Sequence, residues 1–83
     1  MKYTTTNNGI YLEQEGRTLG EVTFAETSPG VFTINHTWVD GSMRGQGLAS
    51  ELVRRAVEHI KGKGGEVRAT CSYAVSWLQR HQH

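Results

Sequence analysis

The segment Arg44-Gly45-Gln46-Gly47-Leu48-Ala49 carries the residue types best suited to holding a charged ligand. Glycines let a backbone approach a ligand closely. If a helix opens just after Gly47, the unpaired amides of its first turn point outward, together with the positive end of the helix dipole. A phosphate is the natural guest of such a turn, and Arg44 can add a charge-assisted contact. The same residues also suit an ordinary strand-to-helix connection with a solvated arginine, because a lone G-x-G is a weak signal. Two other phosphate loops fit poorly. A Walker loop needs Gly-Lys-Ser/Thr where Gly47-Leu48-Ala49 stands, and a dinucleotide fingerprint wants Gly or Ala where Ser50 stands. If the turn is the phosphate site, a valine at position 47 is expected to block the ligand and leave the helix largely intact.

Cys71 and His36 are the other two reactive candidates. Cys71 ends a short apolar run just before a helical one, and a thiol at a helix N-terminus has its thiolate favoured. It is equally readable as a small hydrophobe aligned with Val67 and Ala69. His36 is expected to share a strand face with Ile34 and Trp38. Histidine exchanges its proton near neutral pH, which suits a general base, although such a residue can also simply satisfy a core. His59 falls on an outer helix face, and Arg80, His81 and His83 fall in a solvated C-terminal tail. No spacing of His, Cys, Asp and Glu suits a metal site, so no metal is expected.

The elements that must position these residues read clearly. Ile10 and Leu12 alternate with polar neighbours, as do Val22 and Phe24, and Glu15-Gly16-Arg17 supplies the turn between them. Thr27-Ser28-Pro29-Gly30 is a second turn, and Val31 to Val39 is a β-branched and aromatic strand. Ala49, Leu52, Val53, Ala56, Val57 and Ile60 follow helical spacing, with Glu51 and Arg55 an i,i+4 pair on the outside. Gly62-Lys63-Gly64-Gly65 ends that helix. Glu66 to Cys71 reads as a strand, and Tyr73 to Gln79 as a last helix with Ala74, Trp77 and Leu78 inward. Strand, helix and strand in succession imply a right-handed crossover and a parallel pair. The expected fold is therefore α/β (α+β), in the order β-β-β-α-β-α, with a mixed sheet.

Eighty-three residues allow one domain, 1–83, with a thin core. A sizeable ligand should lie in a surface cleft. A formal charge of +1 gives no strong field, so nucleic acid is not an expected partner. The single cysteine speaks against a disulfide scaffold, and no stretch approaches the roughly 20 apolar residues of a membrane span. A cytoplasmic monomer or weak dimer, with no membrane partner, is expected.

Arg44-x-x-Gly47-x-Ala49 matches the [Arg/Gln]-x-x-Gly-x-[Gly/Ala] motif of the GNAT superfamily of acyl-CoA-dependent N-acetyltransferases, and it sits between a central strand and the following helix. The stretch from Ile34 to His81, with His36-Thr37-Trp38-Val39 and Cys71-Ser72-Tyr73, resembles the small stand-alone GNAT-like subfamily. The resemblance implies a minimal GNAT-like fold, mostly antiparallel with one parallel pair at the CoA slot. It implies acetyl-CoA as acyl donor and an amine as acceptor. It further implies that amides from Arg44 through Gly45, Gln46, Gly47 and Leu48 to Ala49 bind the pyrophosphate. Thr37, Trp38 and Val39 would pair with the pantetheine arm, with Ser72 also at the cofactor, and Cys71 and His36 would form the active site.

Two departures from the larger superfamily stand out. The helices that usually follow its first strand are absent, because Leu12 leads through a short turn to Thr18. Where the superfamily tends to carry a tyrosine that protonates the departing thiolate, this chain has Leu78. An acetyl-cysteine route through Cys71 is one way to manage without it. The alternatives are a CoA-binding module without turnover, and a partner- or RNA-binding adaptor using Arg54, Arg55, Lys61, Lys63 and Arg68.

Overall fold

The chain enters its sheet earlier than the sequence pattern implies. The computed structural model describes residues 1–81, so His83 lies outside the described residues. Strand β1 (Lys2–Thr6) pairs antiparallel with β2 (Gly9–Gln14), which pairs antiparallel with β3 (Arg17–Ser28). Strand β4 (Val31–Val39) pairs antiparallel with β3, and after helix α1 (Leu48–Gly62) strand β5 (Glu66–Ala69) pairs parallel with β4. Helix α2 (Ser72–Arg80) ends the described chain. The expected mixed sheet with one parallel pair is present in the order β1-β2-β3-β4-β5, with one antiparallel strand added in front. Strand β1 escapes sequence patterning because Tyr3 is its only apolar residue inside a threonine run; Arg55 lies over that ring at 3.7 Å.

Both helices pack on one face of the sheet. Leu52, Val53, Ala56, Val57 and Ile60 of α1 and Ala74 and Trp77 of α2 join Ile10, Val22, Phe24 and Ile34 in one buried cluster. Each fully buried Leu, Val or Ile contributes about 1.5–3 kcal/mol, so this face rather than intrinsic propensity holds α1 in place. Gly20 of β3 lets α1 come close: a Cβ there would lie 2.9 Å from Leu52 Cδ1. On the outer side of α1, Glu51 accepts from Arg55 Nε at 2.7 Å, as the i,i+4 spacing predicts. Arg54 is held by both Glu51 and Glu58. Among the described residues, no helix is long and apolar enough to cross a membrane.

Two local departures matter for the site. Strand β5 stops at Ala69 rather than Cys71, and the amides of Thr70 and Cys71 both donate to the Ile34 carbonyl, at 3.0 and 3.4 Å. In β4, Ile34 pairs with Phe24 while His36 pairs with Thr23, which leaves Asn35 as the extra residue of a bulge. The bulge reverses the faces. Thr37 lies opposite buried Val22 and Val39 opposite Gly20, whereas His36 and Trp38 point to the side without helices. His36 therefore does not share a face with Ile34, contrary to the unbroken alternation read from the sequence.

Candidate functional site

Strands β4 and β5 are paired only from Val31/Glu66 to Ile34/Ala69, and β4 then runs on to Val39 with no strand paired to it on that edge among the described residues. The gap opens into a cleft of about 350 Å³. Thr37, Trp38 and Val39 form one wall, and Met43, Arg44, Gly45, Gly47, Leu48 and Ala49 another, while Tyr73 of α2 closes it. Eight residues singled out from the sequence as cofactor contacts thus come together. Gln46 and Ser72 do not line the cleft; both are exposed, at the tip of the turn and at the first position of α2. Met43 and Tyr73 are additions. Tyr73 stands in the Cys71-Ser72-Tyr73 stretch, but helical periodicity alone does not say which way it faces.

The turn is built for close approach. Gly45 and Gly47 have φ of +82° and +72°, a backbone region that side chains strongly disfavour. The first helical bond, from the Glu51 amide to the Gly47 carbonyl, spans 3.1 Å. The amides of Leu48, Ala49 and Ser50 consequently have no partner within the helix. Gly47 is the N-cap and offers no side-chain cap. The conformation corrects the expectation that a valine at 47 would spare the helix, because a β-branched residue there is strained irrespective of space. Upstream, Asp40 closes a single 3-10 turn, Gly41–Met43, by accepting from the Ser42 amide at 3.0 Å. The Ser42 hydroxyl and amide together hold the Asp40 carboxyl below the usual carboxylate range.

Cys71 caps α2 and is half-buried against the core cluster. Its thiol donates to the Thr37 hydroxyl oxygen at 3.7 Å, across the point where β4 and β5 part. Burial pushes the thiol up, but the amide of Ala74, the Thr37 hydroxyl and the amide of Tyr73 together outweigh it. The net shift is below the ordinary cysteine value. Those amides act by proximity and do not close a capping hydrogen bond. Cys71 does not itself line the cleft; it touches Thr37, which does. His36 stands elsewhere. Its Nε2 lies 3.6 Å from Glu21 Oε2 on the helix-free face, so the structure does not bring His36 and Cys71 together. Leu78, where a tyrosine would be expected, packs against the core.

Among the described residues, no three His, Cys, Asp or Glu side chains gather in a way that could hold a metal ion. Of the five basic residues that an adaptor would use, Arg54, Arg55 and Arg68 are engaged by Glu51, Glu58 and Glu66.

Residues 9–83 match the family model described as GCN5-related N-acetyl-transferase. No curated protein matches the chain. Among solved structures, a GCN5-like candidate N-acetyltransferase from Staphylococcus aureus, determined in solution by NMR, is 28% identical with a TM-score of 0.77, over 95% of this chain and 78% of its own. An IAA acetyltransferase from Bacillus cereus ATCC 14579 is 25% identical with a TM-score of 0.69, over 87% of this chain and 51% of its own. An N-acetyltransferase from Staphylococcus aureus Mu50 is 27% identical with a TM-score of 0.65, over 87% and 49%. The chain spans about half the length of the last two.

Proposed function

Because the chain belongs to the GCN5-related N-acetyltransferase family, we propose that it transfers the acetyl group of acetyl-CoA to an amine, with residues 1–83 acting as one cytoplasmic domain. Family and fold support acyl transfer. The observation that carries the finer reading is the cleft itself: the unpaired edge of β4 faces the free amides at the start of α1. A pyrophosphate fits the amides of Leu48, Ala49 and Ser50, with Arg44 alongside. A pantetheine arm, which carries its own amides, fits the edge of Thr37–Val39 as an added strand. Ser72 and Gln46 are left at the margin.

The thioester end of such a ligand would approach Thr37 and Cys71. In the proposed route the Cys71 thiolate attacks the thioester carbon, a new C–S bond forms, and the original C–S bond breaks to release CoA thiolate. An amine then attacks the acetyl-cysteine, the C–N bond forms, and the Cys71 sulfur leaves. Tyr73 lines the same cleft, and its hydroxyl is a further group for proton transfer in this route. His36 serves the incoming amine rather than the thiol, because it lies on the opposite face.

The pairing of Arg54, Arg55 and Arg68 with carboxylates weighs against an adaptor that binds nucleic acid through them. A module that binds acetyl-CoA without turnover is separated by product analysis. Incubation with acetyl-CoA and a primary amine, with free CoA measured by chromatography, is expected to show release that accelerates with amine. Binding without release would leave the module reading, and neither would leave the adaptor.

A further inference from the structure

Strand β5 closes the sheet on one side, and among the described residues no strand pairs with it other than β4. The amides of Glu66 and Thr70 donate inward, to the carbonyls of Gly30 at 2.8 Å and Ile34 at 3.0 Å. Successive amides of a strand point to opposite edges, so those of Val67 and Ala69 point outward. Such an edge is a template for another strand, and β5 has neither a proline nor a bulge to guard it. Its charged residues, Glu66 and Arg68, have opposite signs. Both are exposed on the helix-free face, because Val67 and Ala69 pack against the core. An apolar strip runs beside the edge on the other face, where Val67 and Ala69 line a hollow with Val75 and Leu78 of α2. Val75 is 36% exposed there.

We infer that a second copy of this chain covers this edge, with β5 pairing antiparallel to β5 about a two-fold axis at Val67. The inference is independent of the acetyl-transfer reading. Charge and geometry together fix the register. The outward amides sit at odd positions, so the axis must pass through a residue position and not between two. An axis at residue 66 or 68 sets Glu66 against Glu66 or Arg68 against Arg68, and like charges directly opposed are destabilising. An axis at Ala69 overlaps only the strand ends. An axis at Val67 sets each Glu66 opposite the Arg68 of the second copy. Val67 then exchanges both backbone bonds with its own copy, and the Glu66–Arg68 pair already present on each strand joins a cluster of four alternating charges. The five-stranded sheet doubles into one continuous sheet with every helix on the same face, which brings the two apolar strips side by side. A four-residue strand and one exposed helix face make a small interface, so the dimer dissociates on dilution.

Sedimentation velocity of the full chain over a concentration series tests this. The mass is expected to climb from one chain toward two between micromolar and millimolar protein. Over the same range the Val67 and Ala69 amides should exchange more slowly with deuterium. Glu66→Arg and Arg68→Glu should each weaken self-association at least about tenfold, since both cross-strand pairs become like-charged. Both side chains are exposed, so each variant keeps its fold. Mixing the two variants should restore a dimer, because every arginine then meets a glutamate. A chain that stays monomeric at millimolar concentration would overturn the inference. So would a dimer that neither variant weakens, which would place the contact on another face, or two weakened variants that fail to associate when mixed.

Discussion

Gly47→Val is expected to lose at least a hundredfold in acetyl-CoA affinity and to melt roughly 4–16 °C lower than the native chain. Position 47 has φ of +72°, and forcing a left-handed conformation on an L-residue costs about 1–2 kcal/mol. In a domain this small each kcal/mol moves the melting point by about 4–8 °C. The binding loss is separate from that strain. A hydrogen bond to a charged group contributes about 1.5–3 kcal/mol, and tilting the first turn of α1 away from the phosphate removes at least two. Each 1.4 kcal/mol is about tenfold, so the loss reaches a hundredfold or more. Arg44→Ala removes one exposed charged contact and should weaken binding only about 5–30-fold with little change in melting. Calorimetry carried out well below each variant's own melting point separates strain from recognition. Native affinity in folded Gly47→Val would mean that the phosphate binds elsewhere.

Cys71→Ala is expected to abolish a covalent acetyl adduct and to slow amine acetylation by at least about a hundredfold, the lower end of what a positioned reactive group contributes. The Thr37 hydroxyl and the Ala74 and Tyr73 amides favour the thiolate over the opposing effect of burial. Adduct formation should accordingly rise with pH and level off below the ordinary cysteine value of 9.0. Thr37→Val, which removes one of these groups, should move that plateau to higher pH. Intact-protein mass spectrometry after brief exposure to acetyl-CoA reads the adduct, and added amine should discharge it. Full turnover by Cys71→Ala at unchanged CoA affinity would leave direct attack by the amine, with Cys71 a packing residue.

Much of this architecture was legible because its signals are local. Period-2 alternation bounded by Pro29-Gly30 delimits β4, and the spacing of Leu52, Val53, Ala56 and Ile60 delimits the buried face of α1. The Arg44–Ala49 motif carries the position of the cleft, whose other wall follows from the strand before it. What stayed hidden depends on pairing between distant residues. The bulge at Asn35 is invisible to alternation, since one unpaired residue exchanges the two faces and moves His36 away from Cys71. The early end of β5 has the same origin, because the Ile34 carbonyl receives both the Thr70 and Cys71 amides. Strand β1 buries too little apolar surface to announce itself, and Tyr73 enters the cleft only through the way α2 docks on β4.

The most direct test of the proposal that the cleft binds acetyl-CoA is the melting temperature of the native chain with and without acetyl-CoA. A ligand that binds only the folded state, at a hundredfold excess over its dissociation constant, stabilises by about 2.7 kcal/mol. For a domain of this size the melting point should rise by roughly 10–20 °C. An unchanged melting point at millimolar acetyl-CoA would contradict the account.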